Sequence, residues 1–165
     1  MDILITDCQK SQKRKTSKNK IKKLAKEILK NLRCPEDIEI SILLTDDTHI
    51  RELNRKYRKK DKPTDVLSFP QGAIGSYANW KLEIGNYLYP ANCPLPIGDV
   101  VISVETVEKQ AVLEGISFDE EIIRLLIHGI LHLFGFEHEK GGQKAKAMRG
   151  EEKRLYGLCC FHGKT

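Results

Sequence analysis

The run SFDEEIIRLLIHGILHLFGFEH, residues 117–138, decides the fold of this chain. Ser117, with Glu120 three residues on, makes a capping box, in which each side chain satisfies a backbone N–H at the start of a helix. Ile122, Ile123, Leu125, Leu126, Ile127, Ile130, Leu131, Leu133 and Phe134 then leave almost no polar face. A helix that is apolar nearly all round must be enclosed, so this one is predicted to span about 118–134 and to run through the centre of the domain. Gly135 stands where a helix ends in the left-handed conformation that glycine adopts freely. His128 and His132 are four residues apart and point the same way, one turn from each other, and His138 comes back past the helix end.

The flanking sequence supplies a small sheet for this helix to lie on. Residues 2–6 (DILIT) alternate as a strand does. Ile21, Leu24, Ala25, Ile28, Leu29 and Leu32 recur at helical spacing behind Ser17, with lysines on the other face. Residues 38–44 (IEISILL) form a second strand, and a strand–helix–strand order favours a parallel pair with a right-handed crossover. Thr45 or Asp46 caps a second helix that carries Ile50, Leu53 and Asn54 and ends near Tyr57. A short third strand covers 66–69 and stops at Pro70, and a fourth covers 100–103. Between them, 71–96 reads as a long loop with a small hairpin at 81–89. A helix at 104–114 ends at Gly115, and a last helix occupies about 144–156. The remainder, 159–165, reads as a flexible tail, so Cys159, Cys160 and His162 make a poor ligand frame despite their residue types. The expectation is one α+β domain over 1–165, with about four strands packed against helices and a central buried metal-binding helix.

Composition narrows the partners. The net charge of +5 is concentrated in two runs, Lys10 to Arg33 (with Glu27 the only acid among the cations) and Arg51 to Lys62. Two basic clusters in a small domain fit a polyanion such as nucleic acid. The five cysteines form no C-x-x-C pair, which argues against a disulfide framework and for a reducing compartment, cytoplasm or an organelle matrix. No apolar run approaches the length of a membrane span and no signal-peptide pattern opens the chain, so no membrane partner is expected.

The histidines point to a metal. A catalytic zinc site keeps three protein ligands and leaves a fourth position for water. His128 and His132 make a rigid edge, and His138 completes a pyramid; one Zn2+ per chain is the expectation, although imidazole also accepts nickel and cobalt. The spacing equals that of the metzincin proteases, H-E-x-x-H-x-x-G-x-x-H, but Gly129 occupies the place of their glutamate base. A metallopeptidase is therefore disfavoured.

Three separated motifs resemble one family. HGILHLFGFEH (128–138) is similar to the H-G-x-L-H-L-x-G-Y-D-H signature of the YbeY family of ribosomal-RNA maturation endoribonucleases. LNRKYRKKDKPTDVLSFP (53–70) resembles its L-N-x-x-Y-R-x-x-D-x-P-T-D-V-L-S-F-P, and GDVVIS (98–103) its G-D-I-V-I-S. The first fifty residues agree only in general pattern. Phe136 and Glu137 replace the usual Tyr and Asp, and the 71–96 loop is longer than the usual bacterial one.

The resemblance implies zinc-dependent cleavage of single-stranded RNA near the 3′ end of small-subunit ribosomal RNA, in ribosome maturation and quality control. It puts the important arginine of the family at Arg58, whose guanidinium suits paired phosphate oxygens. Asp65 and Ser68 enter as supporting residues within a structural turn bent by Pro63. Tyr57 has the residue type to stack on a base, but a tyrosine at a helix end more often packs into the core. The other readings are a zincin-like metallopeptidase and a non-catalytic ribosome-assembly factor with structural zinc; three histidines without a fourth protein ligand speak against a closed structural site.

Overall fold

The structure, a computed structural model, describes residues 1–10, 17–71, 95–138 and 142–161. Its elements are β1 (Asp2–Asp7), α1 (Lys18–Asn31), β2 (Ile38–Thr45), α2 (Asp47–Arg58), β3 (Val66–Pro70), β4 (Leu95–Ser103), α3 (Val104–Glu114), α4 (Phe118–Leu133) and α5 (Gly142–Phe161). The four strands make one sheet in the order β1-β2-β4-β3. β1 and β2 are parallel, as their strand–helix–strand order predicts; β4 is also parallel to β2, and β3 returns antiparallel along β4. The fold is α+β.

Alternation along the strands divides the apolar residues between two faces. Ile38, Ile40, Ile42 and Leu44 of β2, with Val100 and Ile102 of β4, join the main core with Ile28 and Leu29 of α1, Ile130 and Leu131 of α4 and Leu155 of α5. Leu67 and Val101 meet Ile50 of α2 in a smaller cluster, flanked by Leu43, Leu53 and Phe69. α4 touches β3 and β4 on one side and α1, α3 and α5 around the rest, which is why it can be apolar nearly all round. Among the described residues, no helix is long and apolar enough to cross a membrane.

The helix starts follow their capping chemistry. Ser17 Oγ accepts from the Lys20 N–H, and of the two candidates at α2 it is Asp46 that caps, accepting from the His49 N–H at 2.9 Å. The box at α4 is closed both ways: the Ser117 N–H donates to Glu120 Oε2 at 2.8 Å, and the Glu120 N–H to Ser117 Oγ at 3.2 Å. α3 ends at Gly115 as expected.

Three expectations need correction. β4 begins at Leu95 rather than at residue 100, so 95 and 96 leave the long loop. Pro96 and Gly98 signal a break, yet Pro96 lies past the end of β3, which pairs only as far as Gly98, so its missing N–H costs no ladder bond there. At Gly98 (φ 137°) a Cβ would come within 2.3 Å of the Phe69 carbonyl oxygen, so only glycine lets the two strands approach. α5 runs to Phe161 and takes in Cys159 and Cys160, which the sequence alone places in a tail. Cys159 is buried in the core, and burial pushes its thiol up to about 12. Tyr57 is 56 % exposed, its ring edge-on to Phe69 at 5.1 Å between centroids, rather than packed into the core. The hairpin expected at 81–89 and His162 lie outside the described residues.

Candidate metal centre

The three histidines come together where α4 ends. His128 Nε2 and His132 Nε2 are 3.1 Å apart, and the ring of His138 lies 5.1 and 5.2 Å from theirs, centroid to centroid. One ligand nitrogen from each lies within 4.8 Å of the others. Two nitrogens on a tetrahedral zinc, each at about 2.05 Å, are roughly 3.3 Å apart, so this spacing fits such an ion. The third histidine arrives through a Schellman motif: the Phe136 N–H donates to the Leu131 carbonyl at 3.2 Å and the Gly135 N–H to the His132 carbonyl at 3.1 Å, with Gly135 at φ 77°. Burial, followed by the neighbouring charges of His128 and His138 and a contribution from Arg58, lowers the pKa of His132 to about 4. His132 is therefore neutral at pH 7, the form that binds a metal.

Gly129, beside the first histidine, faces the sheet. A Cβ there would meet Val100 Cγ1 at 2.7 Å, Val66 Cγ2 at 3.1 Å and Ser68 Oγ at 3.3 Å. The proteases' glutamate has no room at this position, so the departure seen in the sequence has a packing cause. Ser68 is buried and its hydroxyl donates to the Gly129 carbonyl at 2.8 Å, tying β3 to the turn of α4 between the two histidines. Its part is to fix that turn.

Arg58 is the last residue of α2, and the segment after it is held in several places. Arg51 pairs with Asp61 through Nε at 2.8 Å and Nη2 at 3.1 Å. Asn54 Nδ2 donates to the Lys62 carbonyl at 2.8 Å, and Asp65 Oδ1 accepts from the Val66 N–H at 2.8 Å and from the Thr64 hydroxyl. Asp65 is thus a bracket, as the turn chemistry predicts. The result is a cavity of about 710 Å³ whose wall includes the three histidines together with Arg58, Lys60 and Lys62. Glu137 also lines it, with Lys144 Nζ 3.7 Å from its Oε2. Among the described residues, the second of the two basic runs reaches this cavity and the first does not.

One residue at the site escaped the sequence reading. Glu152 Oε1 lies 2.7 Å from His128 Nδ1, the ring nitrogen opposite the one that faces His132. A signal for it exists in α5: Ala145, Met148, Leu155 and Cys159 are all buried, and Glu152 falls in register with them at steps of three and four. A carboxylate in an inward-facing apolar stripe needs a partner.

Comparison with known proteins agrees with this geometry. The family model described as endoribonuclease YbeY matches residues 5–158. A protein named endoribonuclease YbeY from Aquifex aeolicus is 49% identical over 140 residues, covering 85% of this chain and 82% of that one. Another of that name from Persephonella marina is 44% identical over 143 residues, covering 87% and 84%. The solution structure of TM1509 from Thermotoga maritima superposes with a TM-score of 0.61 at 25% identity, covering 98% of this chain and 91% of that one. The family match and these identities together place the chain in the YbeY family of endoribonucleases.

Proposed function

We propose that this protein hydrolyses phosphodiester bonds in single-stranded RNA at one zinc ion held by His128, His132 and His138, with Arg58 acting on the phosphate. The observation that carries the reading is the shared cavity: three convergent imidazoles and Arg58 line the same space, with Lys60 and Lys62 on its wall. A zinc bound there would supply a polarised water of lowered pKa, toward about 7. The chain's residues supply the rest. His132 stays neutral and available as a ligand, Arg58 offers two parallel N–H groups to phosphate oxygens, and the lysines draw in the polyanion. The names of the relatives support RNA as the substrate class. The motif resemblance supports the finer assignment, the 3′ end of small-subunit ribosomal RNA in ribosome maturation and quality control, in the cytoplasm or an organelle matrix. The histidine spacing is shared with the metzincin proteases, but the packing of Gly129 opposes the peptidase reading.

The test measures metal content and RNA cleavage on the same samples. His132→Ala should lose metal and activity together. Arg58→Ala should keep its metal and lose about a hundredfold in turnover, since a transition-state contact of this kind is worth about 3 kcal/mol. Arg58→Lys should recover little of it, because a point charge cannot reproduce the fork. Full turnover by metal-loaded Arg58→Ala removes the arginine from the mechanism, and cleavage of casein in place of RNA overturns the reading.

A further inference from the structure

We propose that Glu152 is a positioning residue for the metal centre: its carboxylate holds His128 in the tautomer and orientation that aim Nε2 at the ion. This rests on the metal reading above and adds a residue from a different helix. A carboxylate only accepts hydrogen bonds, so the 2.7 Å contact places a proton on His128 Nδ1. The neutral ring then carries its lone pair on Nε2, the nitrogen 3.1 Å from His132 Nε2. A hydrogen-bonded carboxylate behind a ligand imidazole fixes the ring and raises its basicity.

The placement of Glu152 favours this role over simple packing. It occupies the inward stripe of α5 between Met148 (1 % exposed) and Leu155 (0 %). An apolar residue would suit that stripe better, since a half-buried carboxylate gives up hydration that a single hydrogen bond restores only in part. His128 and Glu152 are similarly accessible, 27% and 31% of their side chains being exposed, so the pair is shielded enough for the contact to orient the ring. The carboxylate also carries the effect across the fold. α5 packs on α4, so the ion would be joined through His128 to a helix that contributes no ligand of its own.

Two substitutions separate positioning from packing. Glu152→Gln keeps the shape and an acceptor but removes the charge. Glu152→Met completes the apolar stripe. Zinc affinity, measured by competition with a chromogenic chelator, should fall about 10- to 100-fold in both. The chelator-treated Glu152→Met protein should be at least as resistant to urea as wild type, an outcome that a packing role would reverse. Cobalt(II) loaded in place of zinc should show altered visible bands in both variants. In the metal-free proteins, nitrogen-15 NMR should find His128 as the Nδ1–H tautomer in wild type and as a mixture in Glu152→Met. Wild-type zinc affinity and cobalt spectra in Glu152→Gln and Glu152→Met overturn the proposal, as does loss of folding stability in Glu152→Met that parallels the loss of metal. A wild-type chain that binds no metal overturns this inference and the catalytic reading together. Normal metal binding without RNA cleavage overturns the catalytic reading alone.

Discussion

Replacing Gly129 by alanine sets two physical effects against each other at the centre of the fold. Gly129 is inside α4, where glycine costs about 1 kcal/mol relative to alanine, so helix propensity alone makes Gly129→Ala stabilising by about that much. The packing opposes it. The new Cβ would lie 2.7 Å from Val100 Cγ1, which must open by roughly 0.7 Å to reach ordinary contact at 3.4 Å, with Val66 Cγ2 at 3.1 Å close behind. Val100 is fully buried on β4, between β2 and β3, and a β-branched side chain has little rotamer freedom with which to yield. Overpacking of this kind costs about 1–3 kcal/mol, and here the strain falls on rigid valines at the upper end of that range. The net expectation is a loss of about 1–2 kcal/mol, or about 5 °C in Tm for a domain of this size. Gly150, in α5, is the control: a Cβ there meets nothing within 4 Å, so Gly150→Ala should gain about 0.5–1 kcal/mol. Both are read by thermal and urea denaturation with a chelator present, so that metal binding does not enter the stability. A Gly129→Ala protein as stable as wild type, or gaining as Gly150→Ala does, would refute the packing account, and with it the reason given for the missing glutamate.

Two further outcomes follow from the charges. RNA affinity should fall steeply between low and physiological salt, because phosphates neutralised by Lys60, Lys62 and Arg58 release counterions; a flat salt dependence removes the electrostatic reading. His132 titrates near 6.5 when unfolded and at about 4 when folded, so between these values the unfolded chain holds a proton that the folded chain does not. Metal-free stability should therefore be insensitive to this group above about pH 6.5 and should fall as the pH drops toward 4, by up to about 2 kcal/mol once partial exposure of the ring screens the full linkage. His132→Asn should flatten that part of the urea-denaturation profile, and an unchanged profile would remove His132 as its source.

The elements that read clearly in the sequence are those whose local and tertiary demands coincide. α4 announces itself by a capping box, an all-round apolar surface and a terminal glycine, and each has its counterpart in the structure. The histidine cluster is legible for the same reason, since two of its members are one helical turn apart and the third follows a turn of known geometry. Elsewhere the deciding contact is far away in sequence. The start of β4 was hidden because Pro96 is tolerated only where β3 has already ended, a matter of register between strands. The end of α5 was hidden because two adjacent cysteines look like a tail until Cys159 is seen to continue the stripe of Met148 and Leu155. Arg58 could not be joined to the histidines by spacing, because their meeting depends on β3 lying against α4.

The choice between a catalytic and a purely structural ion turns on how the site is built. A structural zinc is enclosed by four protein ligands and needs no path to solvent. Among the described residues this cluster has three members, of which His138 is exposed, and it opens on a cavity of about 710 Å³. The cavity wall carries Arg58, Lys60 and Lys62 against two carboxylates, Asp65 and Glu137, and Asp65 is already engaged by Val66 and Thr64. That is a surface suited to an anion approaching the three histidines. The position where a protease would keep its base, residue 129, is filled by the contact of α4 with Val100 and Val66, so a water on a zinc bound by the three histidines would depend on the zinc for its acidity rather than on a glutamate at that position. A phosphodiester suits such a site better than a peptide. Its charge lies on the non-bridging oxygens, where a metal and a guanidinium can both reach it, and a glutamate base would add repulsion. The closeness of α4 to the sheet, first a matter of packing, thereby bears on which substrate the centre can serve.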